Sequence, residues 1–237
     1  MTERRWVPWT RWLLALSLPV LLLAINLRLV TGHWFVRWEY GRPGFPPDPF
    51  GLSTAERTRL AEVCQDFLAS NADIRLLAEL QLPNGQPAFN QRELRHMSDV
   101  QAVYRGITVA GIASGVLWIA VAAGWLAIDR ARGQTAATLM NGSLFTLGLL
   151  LIVGAFMAIS WGQFFTAFHR LFFSGSTWIF PYTDTLIRLF PIRFWIDVAA
   201  TLVALLVLEA LALGATGWAL RRAAVDAVPE ASASGHS

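Results

Sequence analysis

The sequence predicts an all-α polytopic membrane protein with four transmembrane helices and a small extracytoplasmic cap between the first two of them. Of its 237 residues, 55% are hydrophobic and only 15% are charged, and the mean hydropathy is +0.47. This composition is too apolar for an ordinary soluble domain. Four apolar runs, at residues 12–30, 107–128, 137–161 and 198–220, reach the roughly 20 residues that a helix needs to cross a bilayer.

The arginines predict the orientation of the chain in the membrane. All 19 basic residues are arginines. Those in short segments beside the ends of the apolar runs are Arg4, Arg5, Arg11, Arg130, Arg132, Arg221 and Arg222. The positive-inside rule therefore predicts cytoplasmic N- and C-termini, with a cytoplasmic tail at 221–237 and extracytoplasmic segments at 31–106 and 162–197. The arginines form no basic tract, which argues against nucleic acid as a partner.

The segment at 31–106 predicts a small folded cap. Ser53 and Glu56 have the spacing of a capping box at the start of a helix. The residues that follow place one apolar stripe on that helix: Leu60, Val63, Cys64, Phe67 and Leu68. Cys64, the single cysteine, is therefore predicted to be a packing residue. An Asn84-Gly85 turn between short apolar stretches is compatible with a short hairpin.

Two of the four histidines are candidate functional residues. His96 lies 11 residues before the second apolar run, and His169 lies eight residues after the third. If both helices extend beyond the membrane, their imidazoles stand at similar heights, on the order of 12 to 16 Å outside it. His33 follows the first run among aromatic residues and is predicted to be interfacial, and His236 belongs to a polar tail predicted to be disordered.

Each charged residue next to the two histidines has two possible roles. Asp99 follows His96 by three residues and shares its helical face, so it either orients the imidazole or forms a solvated surface pair with it. Arg95 and Arg170 adjoin the histidines in sequence, where they either stabilise a developing oxyanion or contact lipid headgroups.

Glu209 lies about midway along the fourth apolar run, where a charged carboxylate is costly. It is predicted to be a protonated or hydrogen-bonded structural residue, or else a proton relay in a transporter. The chain contains no GxSxG, HExxH, P-loop or dinucleotide-binding motif. Two histidines without a third ligand at a clear spacing do not predict a metal site.

Two segments carry a resemblance to a known family. They are FNQRELRHMSDV, which contains His96, and FHRLFFSGSTWIFPYTDTLIRLFPIRFWID, which contains His169 and ends at Asp197. Together they resemble the bacterial integral membrane family that includes lipoprotein intramolecular transacylase, called Lit. The similarity involves an ELxHMxDV-like element, an FHxxFF element, the tryptophan after it and a DxLIxxFP run. It extends over the four apolar runs and most of the chain.

The resemblance implies an enzyme of the outer leaflet of the bacterial cell membrane. Its partners would be membrane lipid and lipoproteins whose N-terminal cysteine carries a diacylglyceryl group. Such enzymes move the sn-2 acyl chain to the cysteine's own α-amino group, which yields the lyso form of the lipoprotein. The matching positions make His96 and His169 the catalytic residues, one as base and one as proton donor, and the chemistry requires no cofactor.

The resemblance also suggests substrate-binding and supporting residues. Four aromatic residues suit an acyl-chain groove, or equally interfacial packing: Phe168, Phe172, Phe173 and Trp178. Asp184 either orients His169 or caps the helix that follows. The alternative to an enzyme is a transporter or channel subunit that uses Glu209, or a scaffold with an extracellular cap. A metal-assisted lipid hydrolase on the same histidines is a third reading.

Overall fold

A computed structural model describes residues 6–127 and 131–226. Within these residues the chain forms helices α1 (Trp6–Val30), α2 (His33–Gly41), α3 (Thr54–Ala69), α4 (Arg75–Ala78), α5 (Gln91–Ala127), α6 (Ala131–Ile159), α7 (Trp161–Phe172), α8 (Thr185–Leu189) and α9 (Ile192–Asp226). The predicted roles of Arg4, Arg5, Arg130 and His236 concern positions outside the described residues.

Four of these helices are long and apolar enough to cross a membrane. The candidate spans are Trp9–Val30, Gln91–Trp125, Gly133–Ile159 and Ile192–Ala224. This confirms the predicted all-helical fold with four membrane helices. All four helices begin before their apolar runs. The extension is largest in α5, which begins at Gln91, because the polar residues before its run are themselves helical, and α9 begins at Ile192.

The chain divides into two compact units, which are described separately. The first consists of the parts of α1, α5, α6 and α9 that fall within residues 1–23, 110–153 and 205–237. Glycines permit close helix contacts in this unit. A Cβ atom at Gly142 would lie 2.8 Å from Leu18 Cδ2, and one at Gly217 would lie 2.8 Å from the Ala136 carbonyl oxygen. Small residues at these positions let the helices approach closely.

The second unit consists of residues 24–109 and 154–204 and contains a buried apolar core. The side-chain cap of α3 forms as predicted, with Ser53 Oγ accepting from the Glu56 amide at 3.2 Å, while the Glu56 carboxylate accepts from Arg59 and not from the Ser53 amide within the described residues. Cys64 is 1% exposed and packs in the core, as predicted. The core is made by α3, α4, α8 and the start of α5, and its buried members are Leu60, Cys64, Phe67, Leu77, Ala88, Phe89, Leu94, Met97, Leu186 and Leu189.

The Asn-Gly turn closes a hairpin that is too short to form strands. The Leu82 amide donates to the Gln86 carbonyl at 2.9 Å, and Gly85 takes a positive φ of 81°. A single isolated bridge joins Gln81 to Pro87. Because Pro87 has no amide hydrogen to donate, a ladder does not extend from this bridge.

One buried carboxylate joins the first turns of α5 and α8. Asn90 and Glu93 form a capping box, in which Asn90 Oδ1 accepts from the Glu93 amide at 3.1 Å and Glu93 Oε2 accepts from the Asn90 amide at 2.8 Å. The other carboxylate oxygen of Glu93 accepts from the Leu186 amide at 2.7 Å. Glu93 is 1% exposed. It therefore holds the first turn of α8 against the beginning of α5.

A cluster of charges joins α2 to the first turns of α9. Asp197 Oδ2 accepts from Arg42 Nη2 at 2.8 Å and from Arg193 Nε at 2.5 Å. Glu39 is fully buried beside this cluster, with its Oε1 atom 3.4 Å from Arg42 Nη2. Burial, followed by the neighbouring Asp197, raises the pKa of Glu39 to about 7, against the opposing effect of the two arginines.

Candidate active site

His96 lies on α5, just beyond the capping box that begins this helix. Its side chain is buried, with 9% exposure. Two aromatic rings contact its imidazole at steep angles, Phe173 at 4.9 Å and Phe180 at 5.3 Å between centroids. No hydrogen-bond partner of its buried Nδ1 atom is found among the described residues.

His169 lies on α7, which is separated from α6 by a break at Ser160. The third membrane helix therefore does not continue straight to His169, since Ser160 has a non-helical φ of −152° and ψ of 83°. The Nδ1 atom of His169 lies 2.7 Å from the Phe165 carbonyl oxygen. A carbonyl oxygen only accepts, so Nδ1 carries the proton and Nε2 holds the free lone pair of the neutral ring.

The two imidazoles lie in one aromatic cluster. Their ring centroids are 6.2 Å apart, and the ring planes differ by 20°. Phe173 contacts both rings, at 4.9 Å from His96 and 5.6 Å from His169. The ring of Trp178 lies 4.9 Å from that of His169. The two imidazoles are therefore close enough to act on one bound substrate.

Burial affects the protonation of His169. Desolvation lowers its pKa below the ordinary value of 6.5, against the opposing effect of the hydrogen bond to the Phe165 carbonyl. The charged form of the ring is disfavoured because the surrounding aromatic side chains do not solvate it. His169 is therefore neutral at pH 7 and able to take up a proton.

Asp99 does not orient His96. Its side chain is exposed, whereas that of His96 is buried. None of the hydrogen bonds recorded for the described residues joins the two side chains. The spacing of three residues placed them on neighbouring positions of the helix, but the imidazole turns toward Phe173 and Phe180 in the core, and the carboxylate turns toward solvent.

Asp184 was predicted either to orient His169 or to cap α8, but its side chain pairs with a different residue. It occupies the position before α8 but makes no side-chain capping bond. Its Oδ2 atom accepts from Arg92 Nη2 at 2.6 Å. The Arg92 guanidinium in turn lies over the ring of Phe180, 5.6 Å from its centroid. Asp184 is thus linked through Arg92 to the ring that contacts His96, and has no hydrogen bond to His169 within the described part of the chain.

The remaining predicted residues occupy the edge of the site or its surface. Arg95 is exposed and its Nε atom donates to the Gln91 carbonyl at 3.2 Å. Arg170 is exposed. Phe168 contacts His169 at 5.5 Å, and Phe172 contacts Phe168 at 5.0 Å without contacting either imidazole. The described residues contain no group of three or more His, Cys, Asp or Glu side chains that could hold a metal ion.

Three residues with a place in the site were not anticipated as such from the sequence. Phe180 contacts His96, Arg92 contacts Phe180, and Glu93 holds the first turn of α8 in place. The Asn-x-x-Glu spacing of residues 90–93 is a local signal that predicts the buried capping box. No local signal indicates Phe180 or Arg92, because their contacts join distant parts of the chain.

The sequence model of the family described as lipoprotein intramolecular transacylase Lit matches residues 12–195. The chain belongs to the Lit family. This confirms the resemblance and makes the protein an acyltransferase of multi-pass membrane type, so the non-enzymatic alternative is not supported. An uncharacterized protein of Aquifex aeolicus is 30% identical over 185 residues, which are 78% of this chain and 82% of that protein.

Solved structures of Lit from Bacillus cereus have the same fold. One superposes with a TM-score of 0.78 at 19% identity and covers 93% of this chain and 98% of that chain. Two others carry a substitution of one histidine, to arginine and to alanine, and each has a TM-score of 0.68 at 16% identity. They cover 95% and 94% of this chain and 96% and 97% of theirs. All are described as membrane-integral Lit structures.

Proposed function

We propose that this Lit-family protein moves the sn-2 acyl chain of a diacylglyceryl-modified lipoprotein cysteine to the α-amino group of the same cysteine. The observation that carries the proposal is the pair of imidazoles, His96 and His169, with 6.2 Å between centroids inside one aromatic cluster. Acyl transfer to an amine needs a proton acceptor for the nitrogen and a proton donor for the leaving oxygen. Two adjacent histidines supply both.

We assign the role of base to His169. Its Nδ1 proton is held by the Phe165 carbonyl, which leaves the Nε2 lone pair free, and its lowered pKa keeps the ring neutral at pH 7. The substrate α-ammonium, with a pKa near 8, must lose a proton before its nitrogen can attack. His96 then passes the proton that His169 has taken to the leaving oxygen.

The atoms balance without any further reactant. The amine nitrogen forms a bond to the sn-2 ester carbonyl carbon, and the carbonyl electron pair moves to its oxygen. When the tetrahedral intermediate collapses, the carbonyl re-forms and the bond from carbon to the glyceryl oxygen breaks. His169 takes the proton that the nitrogen loses on bond formation and passes it through His96 to the glyceryl oxygen, which leaves as a hydroxyl, so both imidazoles return to their starting state. The proton that the α-ammonium loses before the attack goes to solvent.

Positioning supplies much of the expected rate enhancement. The amine and the ester belong to one lipid-modified residue, and well-oriented intramolecular reactions gain about 7 to 11 kcal/mol. Phe173, Phe180 and Trp178 exclude water from the imidazoles. Phe168 and Phe172 are each 42% exposed and provide apolar surface for the acyl chain. No cofactor is needed for this chemistry.

The remaining parts of the proposal concern the membrane. The site faces the extracytoplasmic side, and both termini face the cytoplasm, as the arginine distribution predicts. The exposed guanidiniums of Arg95 and Arg170 contact lipid headgroups rather than the reacting atoms. Membrane lipid is thus a second partner beside the lipoprotein.

The test is expression in a bacterial host that makes diacylglyceryl lipoproteins and lacks its own N-acylating enzyme. The product is an isomer of the substrate, so its intact mass does not change. Tandem mass spectrometry of the N-terminal peptide locates the acyl chain on nitrogen, and mild alkali leaves this amide-linked chain in place. Appearance of the lyso form with the wild-type chain and its loss in His96→Ala and His169→Ala supports the proposal.

The matched control is His33→Ala. His33 pairs with Asp66 at 2.7 Å on the exposed side of α2 and α3, so this variant should form as much product as the wild type. If wild-type protein is present in the membrane at the level of the variants and no lyso form appears, the proposed reaction is wrong.

A further inference from the structure

A buried indole N–H without a partner lies beside the proposed base. The Nε1 atom of Trp178 is enclosed, yet no hydrogen-bond acceptor for it is found within the described residues. The same holds for the hydroxyl of the adjacent Thr177 and for Nδ1 of His96. Buried polar groups in native proteins are nearly always paired, so an unpaired group in a functional site calls for an explanation.

The local structure places the indole against His169. The ring centroids of Trp178 and His169 are 4.9 Å apart, with 35° between the planes. The loop that carries Trp178 is held at its start, where the Phe173 amide donates to the His169 carbonyl at 2.8 Å. It is held at its end by the ion pair of Asp184 with Arg92 at 2.6 Å. The indole is therefore presented by a loop anchored on both sides.

The chemistry of the indole restricts what can satisfy it. An indole nitrogen only donates, so its partner must be an acceptor. Leaving such a donor buried and unpaired disfavours the folded protein. Trp118, Trp125 and Trp161 also have unpaired buried indole nitrogens, but no ring contact with either imidazole is recorded for them. Trp178 differs because its ring contacts that of the proposed base.

We propose that the indole N–H of Trp178 donates a hydrogen bond to the carbonyl oxygen of the acyl ester during its transfer. As the amine nitrogen bonds to the carbonyl carbon, negative charge develops on that oxygen. The hydrogen bond strengthens as the oxyanion forms and persists until the bond to the glyceryl oxygen breaks and the carbonyl re-forms. The inference rests on the proposed acyl transfer and assigns its oxyanion donor.

The experiment replaces the N–H while keeping the ring. Full-length protein is made with β-(3-benzothienyl)alanine at position 178, in which sulfur stands where the indole has its N–H. Turnover is measured on a synthetic peptide with an N-terminal S-(diacylglyceryl)cysteine in proteoliposomes. We expect kcat to fall about 100- to 1000-fold, as when one oxyanion donor is lost, with KM and the thermal midpoint close to wild type.

The matched control places the same residue at Trp125, which is 1% exposed and has an unpaired indole nitrogen on α5. Its kcat should equal that of the wild type. An unchanged kcat in the position-178 protein overturns the inference. A thermal midpoint that falls together with kcat also overturns it, because the N–H would then make a hydrogen bond that stabilises the fold and not one to the reacting ester. In either case an active wild type leaves the proposed transfer standing, whereas an inactive wild type refutes the transfer itself.

Trp178→Phe, a replacement by an ordinary amino acid, provides a second comparison. It removes the N–H and part of the ring together. If the hydrogen bond is the essential feature, its kcat is as low as that of the benzothienyl protein. A normal kcat in the benzothienyl protein with a low one in Trp178→Phe would show that ring volume matters and the N–H does not, which also overturns the inference.

Discussion

The imidazole of His96 on α5 lies nearly parallel to that of His169 on α7, with 20° between the ring planes and 6.2 Å between the centroids. The two are surrounded by Phe173, Phe180 and Trp178. In such surroundings a second positive charge is strongly disfavoured, because neither solvent nor an acidic side chain stabilises it. The pair is therefore suited to passing one proton rather than holding two.

Replacing either histidine should abolish most of the activity. For His169→Asn and His96→Asn we expect kcat to fall about 100- to 10,000-fold, the usual contribution of a general acid or base. Turnover on the diacylglyceryl peptide in proteoliposomes provides the measurement. Retention of more than a tenth of the wild-type kcat by a folded variant would remove that histidine from the mechanism.

His169 should be visible as a neutral ring with a fixed tautomer. Its Nδ1 donates to the Phe165 carbonyl, and burial lowers its pKa below 6.5. In ¹⁵N-histidine spectra of detergent-solubilised protein, the resonances assigned by their loss in His169→Asn should show a protonated Nδ1 and an unprotonated Nε2 at pH 7. The midpoint of titration should lie below pH 6.5. A midpoint above this value would contradict the role of burial.

Asp99 should matter little for catalysis, although the sequence places it beside His96. Its carboxylate is exposed and the imidazole is buried. Asp99→Asn should therefore keep kcat within about twofold of wild type, as surface substitutions usually do. The same turnover assay tests this. A loss comparable to that of His96→Asn would mean that the carboxylate reaches the imidazole when substrate binds.

Glu93 should contribute strongly to the stability of the second unit. Glu93→Ala removes the acceptors of two backbone amides, those of Asn90 and Leu186. We expect a loss of about 3 kcal/mol in the free energy of unfolding, from two charge-assisted hydrogen bonds and an unsatisfied amide. Denaturant titration in mild detergent measures it. Glu79→Ala, at an exposed carboxylate, is the control and should change stability little.

Glu39 should make stability depend on pH near neutrality. Its pKa rises from an ordinary 4.5 to about 7 in the folded protein, through burial first and then through Asp197, while Arg42 and Arg193 oppose the rise. The folded state therefore binds a proton that the unfolded chain has lost. This contribution is fully present below about pH 4.5 and is lost as pH rises through about 7.

Thermal midpoints across this range test the prediction. The wild-type midpoint should decline between pH 5 and pH 8 relative to that of Glu39→Gln, which keeps a neutral side chain throughout. Glu79→Gln serves as the exposed control and should follow the wild type. Parallel curves for wild type and Glu39→Gln would show that the carboxyl is ionised in the folded protein at all these pH values.

Local features of the fold could be predicted well. The four membrane helices, the cap that Ser53 makes with the Glu56 amide and the helical stripe that includes Cys64 all depend on residues within a few positions of one another. Apolar runs and capping patterns can be recognised from short stretches of sequence. Hydropathy located the apolar runs of α5 and α9, whereas the residues that begin these helices, Gln91 and Ile192, lie outside those runs.

Partners of the charged residues could not be predicted in the same way. Asp99 and His96 are neighbours along α5, yet burial separates their side chains. Asp184 pairs with Arg92, which lies far from it in sequence. The spacing of residues along a helix identifies which side chains share a face. It does not indicate which face of the helix is covered by another part of the chain.

The sequence alone indicates a four-helix membrane protein of the Lit kind with two candidate catalytic histidines. The packed structure was needed to show that the two imidazoles lie together, that Phe180 and Trp178 contact them, and that Nδ1 of His169 is hydrogen-bonded to a carbonyl. The difference lies in the sequence distance over which each interaction acts. Hydropathy and capping act over a few residues, whereas the approach of two imidazoles depends on the break at Ser160 and on a loop held in place by Arg92 and Glu93.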